Sequence, residues 1–454
     1  MWSARSWRAS RYLASLHADH RRIAHGLVLG AVFVLLGRVA GAVKEMTIAW
    51  RYGISGTVDA YQLASTLVGW LPSTLISVTA TVLVPTLVGT RSADPMSRAR
   101  FLGEINGWAL ALGFGLMAIG GLAWPLVVGL LSSGLSEATR QLAIDMSIQL
   151  LPVSLFSLLV GLFSARLQAR ERHVNTLLEA VPALTLCFML VSWPAGVASA
   201  PLVIGTVLGL SLHAALLGGL ATKADGHLGS PKVGISSPYW TDIWRGMRIL
   251  FVGHLAMSFI GPIDQFTAAH FGDRAIATLG YANRLIALLL GLGALSIARA
   301  ALPVFADAFA AAGAKRAGSR AMKWAWLMFA AGVIAAGIAW MVMDWGIAVL
   351  FERGAFTPED TALVANLARW GLLQLPFYFG SMVLVQVLAA CGDFRPIAAS
   401  ALVNLIVKVA LNVLAVQWIG LSGIMVATAG MYAFSFLYLL RAVQRDLGRA
   451  EARA

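Results

Sequence analysis

WRYGISGTVDAYQLASTL at residues 50–67 and HFGDRAIATLGYANRLIAL at 270–288 resemble each other across almost half the chain. Each leads into an apolar run that ends on an aliphatic-proline pair, Val84-Pro85 in one and Leu302-Pro303 in the other. A second pair of echoes follows in the same order. QLLPVSLFSLLVGLFSARLQARER surrounds Pro152, and LQLPFYFGSMVLVQVLAACGDFR surrounds Pro376. The chain therefore reads as a duplication. If each half holds an even number of membrane helices, the two insert with the same orientation and are related by an axis along the membrane normal.

Composition says what kind of helices these are. Apolar residues make up 59% of the chain and charged ones 12%, against about a quarter charged in a soluble domain. The mean hydropathy is +0.78. Most apolar runs exceed the roughly 18 residues needed to cross a bilayer as a helix, and the ten-residue alternation of a β-barrel is missing. Helices are expected near 24–44, 59–89, 105–131, 143–165, 175–193, 200–221, 246–267, 276–303, 322–350, 363–390, 396–417 and 420–440. The fold class is an all-α integral membrane protein of about twelve spans, in two pseudo-repeated six-helix lobes around a central cavity. The expected plan is a basic N-terminal segment (1–23), a first lobe (24–221), a linker (222–245), a second lobe (246–440) and a tail (441–454).

The net charge of +13 would raise the question of nucleic acid in a soluble chain. Here the basic residues gather in alternate loops, among them Arg91, Arg98, Arg100, Arg166, Arg170 and Arg172 in the first half. Outer segments carry only Arg51, Arg140, Arg274 and Arg353. That is the positive-inside pattern, with both termini cytoplasmic and no nucleic-acid partner implied. Cys187 and Cys391 lie in or beside apolar runs, so neither a disulfide nor a metal site is expected. The first apolar stretch follows a long basic segment and reads as a retained helix rather than a cleaved signal.

Charges within apolar helices are the candidates for function, because each needs a wet cavity or a partner. Arg38 lies well inside the first helix, and Arg284 follows Tyr281-Ala282-Asn283 in the eighth. A guanidinium stays charged and presents a planar fork to phosphate oxygens, so one arginine per half could grip a diphosphate. Alternatively each pairs structurally, Arg38 with Glu45 for example. Lys44 either adds to the cavity charge or snorkels. Arg369 and Lys408 are read as snorkelling or substrate contacts, and Arg299 as topological. In the second helix Asp59, Gln62, Thr66, Ser73, Ser77 and Thr81 share one face, which should line a cavity or a helix contact. Asp59 and Asp264 could bind a coupling cation, take up a proton, or partner an arginine. No cofactor is called for.

Three stretches resemble the MurJ/MviN lipid II flippase family, within the multidrug/oligosaccharidyl-lipid/polysaccharide exporter superfamily. They are GRVAGAVKEMTIAWRYGISGTVDAYQLA (37–64), YANRLIALLLGLGALSIARAALPVF (281–305) and LFERGAFTPEDTALVANLARWGLLQLPFYFGSMVLVQVLAACGDFRP (350–396). The resemblance implies a V-shaped pair of lobes in the bacterial inner membrane, with a cationic cavity for a polyprenyl-diphosphate glycan. It places the family's cationic positions on Arg38, Lys44 and Arg284 and its acidic residue on Asp59. Two departures stand out. LPSTLISVTATVLVP (71–85) replaces a helix that normally carries an arginine pair, and about twelve helices are expected here against the family's usual fourteen. The alternatives are an exopolysaccharide repeat-unit flippase, a cation-coupled drug exporter of the same superfamily, a membrane glycosyltransferase, and a non-transporting envelope-assembly scaffold.

Overall fold

Apolar chain in a bilayer must satisfy its own backbone, and every regular element described is helical. The computed structural model describes residues 33–92, 94–172, 174–194, 196, 199–226, 229–390, 393 and 395–451, with no strand among them. Cys391 and the first part of the expected first helix lie outside these residues.

The first half runs through α1 (33–52), α2 (Gly56–Gly89), α3 (Pro95–Leu131), α4 (Glu137–Gln149), α5 (Pro152–Gln168), α6 (Val174–Leu178), α7 (Ala180–Ser192) and α8 (Ala200–Asp225). The second runs through α9 (Trp240–Ser258), α10 (Ile260–Ala269), α11 (Ala275–Phe351), α12 (Pro358–Gly371), α13 (Leu375–Ala390), α14 (Arg395–Ile419) and α15 (Ser422–Glu451). Among the described residues eight helices are long and apolar enough to cross a membrane, and up to ten if each bent pair counts as one. The bent pairs are α4 with α5, at 47°, and α9 with α10, at 57°. Proline lacks the N–H that would continue the ladder, and Pro152 opens α5 at the first of these bends. Pro376 stands just after the 3-10 turn that separates α12 from α13. Helix α1 and the apolar stretch Ala275–Gly291 complete a pattern consistent with twelve.

Helix α11 is assigned as 77 continuous residues. Straight, the seventy residue steps from Tyr281 to Phe351 would span about 105 Å, yet their rings lie 5.2 Å apart. The run therefore doubles back as two antiparallel spans, as the sequence expectation of 276–303 and 322–350 requires.

By contact the chain forms two compact units. One gathers the described residues up to Thr47 with Thr79–Phe114 and Leu155–Ile243. The other gathers Ile48–Val78, Gly115–Ser154 and the chain from Trp244 onward. The second unit thus takes one end of α2 and of α3 from the first half of the sequence. Its core stacks Ala325, Phe379, Val383, Val387 and Phe436.

In the first unit the link between the halves lies strapped along α3. Lys232 N–H donates to Gly103 O at 3.0 Å, Asn106 Nδ2 to Gly229 O at 2.9 Å and Trp108 Nε1 to Gly234 O at 3.0 Å. The Glu104 carboxylate, 2% exposed, accepts from Ser236 N, Ser237 N and Trp240 Nε1, and from the Ser236 hydroxyl. Beside it the Arg166 guanidinium, also buried, meets Asp225 at 2.9 Å, and Arg170 reaches the other oxygen of the same carboxylate. Basic residues that the sequence analysis reads as inside charges thus tie helix ends together.

Candidate functional site

Asp59 sits in the first turn of α2 with no exposed surface. Its carboxylate accepts from Arg274 N–H and, at 2.6 Å, from Ala277 N–H. These are orphan donors at the start of α11, where the N-cap residue Arg274 supplies no side-chain cap. A carboxylate there is favoured by the helix dipole as well. Arg274 holds a left-handed backbone, φ +76°, which non-glycine residues adopt only when their surroundings fix it.

The contact is extended by the neighbouring loops. The Arg274 guanidinium pairs with Asp360, and Asp360 closes a capping box with Thr357. Tyr281 O–H donates to Gly53 O at 3.3 Å, and its ring packs at an angle against Phe351 and edge-on to Phe356. Ala355 N–H donates to Trp50 O at 2.8 Å. Gly53 and Gly354 are both left-handed, and a Cβ on either would strike the other segment's backbone carbonyl. The same exchange occurs in reverse at the equivalent loop of the first half. Gly134 lies against the carbonyls of Ala269 and His270, and Ser136 N–H donates to Asp273 at 3.0 Å. Each half thus lays a loop glycine on the helix-end carbonyls of the other, at the ends that the positive-inside rule assigns to the outside.

One turn further along α2, the buried Gln62 lies over Gly280, leaving no space for a Cβ there. Beyond this seam the polar face of α2 changes character. Thr66 is half-buried, and Ser73, Ser77 and Thr81 are exposed. The face is sealed at one end and open at the other.

The remaining candidates fall as follows. Arg38 is exposed on α1 and makes no hydrogen bond or ion pair among the described residues. Glu45 does not pair with it. Glu45 is buried against Lys44, 2.8 Å away. Arg284 is half-buried one turn past Gly280, beside the exposed Asn283. Asp264 lies 2.8 Å from Lys408, which is wholly buried and does not snorkel. Arg369 pairs with Asp344. The side chain of Arg299 lies outside the described residues. Sequence reasoning missed Arg274 and Asp360 as parts of this site. Asp360 was signalled by the Thr-Pro-Glu-Asp spacing of a capping box, whereas Arg274 reads only as a loop charge. Glu179 was missed as well, its carboxylate reaching the part of α1 that holds Gly37.

Duplicated helical halves thus meet at one end through helix caps. The same fold occurs in a lipid II flippase MurJ solved in an inward closed conformation. The TM-score is 0.74 at 19% identity, covering 93% of this chain and 90% of that one. It also occurs in an inward-facing multidrug resistance transporter of the MATE family in the MOP superfamily, with TM-score 0.74 at 12% identity, covering 92% and 96%.

The sequence profile of the lipid II flippase MurJ family matches residues 48–454, and the chain belongs to that family. Relatives named probable lipid II flippase MurJ include one from Synechocystis, 26% identical over 94% of this chain and 82% of its own length. Another, from Bdellovibrio bacteriovorus, is 27% identical over 92% and 81%.

Proposed function

We propose that the chain moves a polyprenyl-diphosphate-linked glycan, lipid II or a related lipid-linked oligosaccharide, from the inner to the outer leaflet of the bacterial inner membrane by alternating access. The observation that carries this reading is the polar face of α2. It is closed off where Asp59 and Gln62 meet α11 and exposed from Ser73 to Thr81. A polar stripe at membrane depth belongs beside water or protein, so this face lines a path that is shut on the outward side. The Asp59 seam is the gate, since two hydrogen bonds to a helix terminus can break and reform without unfolding either helix. The two sequence halves, 24–221 and 246–440, act as the lobes, and both termini lie in the cytoplasm.

Arg38, Lys44 and Arg284 supply positive charge to the diphosphate, each charged hydrogen bond contributing roughly 1.5–3 kcal/mol. The lack of any charged side chain between residues 71 and 85 of α2 favours a glycan recognised more by hydroxyl contacts there than by charge. This keeps an exopolysaccharide repeat unit as the second reading.

The test is depletion of the protein followed by identification of the polyprenyl-linked glycan that accumulates in the inner leaflet. Rescue by wild type and failure of Arg284→Ala at equal membrane abundance are expected. Full export by Arg284→Ala contradicts the assignment of the cations, and accumulation of no lipid-linked glycan contradicts the flippase itself.

A further inference from the structure

Helices α10, α14 and α15 converge on one nitrogen. Lys408 Nζ lies 2.8 Å from Asp264 Oδ1, 2.9 Å from Ile424 O and 2.6 Å from Thr428 Oγ1. An ammonium has three N–H groups, and here each has an oxygen acceptor. Lys408 is 0% exposed, Asp264 9% and Ile424 1%. Asn412, one turn from Lys408 on α14, donates to Asp264 Oδ1 at 3.2 Å, while its own Oδ1 is buried without a hydrogen-bond partner among the described residues.

Carboxylate, main-chain carbonyl and hydroxyl oxygens gathered around one positive charge are the ligand set of a hard cation. A charge of minus one on Asp264 balances a single positive charge, and a fourth oxygen, on Asn412 one turn along α14, has no hydrogen-bond partner among the described residues. We propose that this is a monovalent-cation site whose ion is built into the chain: the Lys408 ammonium fills an oxygen cage that would otherwise hold a dissolved alkali cation. The three helices are clamped by a charge that cannot dissociate. The site is therefore occupied in every state of the protein and at any external salt, and a dissolved ion bound there cannot be the energy source for transport. This stands on the packing of these helices and does not depend on which glycan is carried.

The experiment is thermal unfolding of the purified full-length protein. LiCl, NaCl and KCl are each titrated against choline chloride at constant ionic strength. Wild type is expected to unfold at the same temperature in all of them. Lys408→Ala leaves the carboxylate and the other oxygens around an empty space. It is expected to unfold at a lower temperature in choline chloride and to recover saturably with at least one alkali cation. Adding Asp264→Asn to Lys408→Ala is expected to abolish the recovery. Lys408→Gln, nearly the same length but uncharged, is the second variant should the alanine form not accumulate. If neither accumulates, Lys408→Met with Asp264→Asn should, because it removes both charges together, and it should be indifferent to salt. Selective stabilisation of wild type by an alkali cation overturns the proposal. So does a folded Lys408→Ala or Lys408→Gln that ignores all three cations, or a neutral double variant that alone still responds to them.

Discussion

At the scale of single residues, the charged groups divide by what holds them. Asp59 is fixed by two backbone donors, and Arg38 by nothing among the described residues. Removing the Asp59 carboxylate leaves buried N–H groups unsatisfied, at about 1–3 kcal/mol each. Asp59→Ala is therefore expected to lower the unfolding temperature and to abolish glycolipid export, with Asp59→Asn intermediate in both. An alanine form as stable as wild type would remove the capping role. Arg38→Ala removes no hydrogen bond or ion pair among the described residues and should change stability by no more than about 0.5 kcal/mol while abolishing export. Calorimetry and an export assay on the same preparation separate the two effects. The need for Asp59 to have a partner was legible in the sequence, because a carboxylate in an apolar helix demands one. Its identity was not, because the partners are backbone N–H groups some 215 residues away, which carry no signature. Lys408 failed differently. Its distance from the helix end suits snorkelling and burial equally, and only the packing of α10 against α14 decides.

At the scale of elements, hydropathy and proline placement located nearly every span. The breaks at Pro152 and before Pro376 follow from chemistry visible in the chain. The α2–α11 seam did not, since it depends on which glycine faces which side chain. Gly280 lies directly under Gln62. Gly280→Ala should push the buried Gln62 amide out of its place, with a destabilisation of about 1 kcal/mol, at the low end of overpacking. Pairing it with Gln62→Ala should restore much of the stability, and a double-mutant cycle measures the coupling. Additive effects would mean that the two do not meet.

For the molecule as a whole, hydropathy and duplication made the helical architecture readable, yet the compact units do not follow the midpoint of the sequence. The strap between the halves also went unread, since Glu104 lies at the edge of an expected helix and looks like an ordinary interfacial acid. It is buried beneath four donors instead. Glu104→Ala is expected to release residues 229–240, giving new protease cleavage there and a lower unfolding temperature, while Glu104→Gln keeps part of the contact. A strap equally protected in the alanine form would show that the backbone bonds to α3 suffice.

Gly53 lies against the carbonyl of Ala355 and Gly354 against that of Trp50, with no room for even a methyl group at either place. An alanine at either position is thus a molecular doorstop placed where two segments must meet, and it carries the added strain of a left-handed backbone. Such a protein would give spectroscopists a conformer propped ajar, with labels near Trp50 and Ala355 farther apart than in the parent. Unchanged label distances would mean that the neighbouring loop yields to the added methyl group.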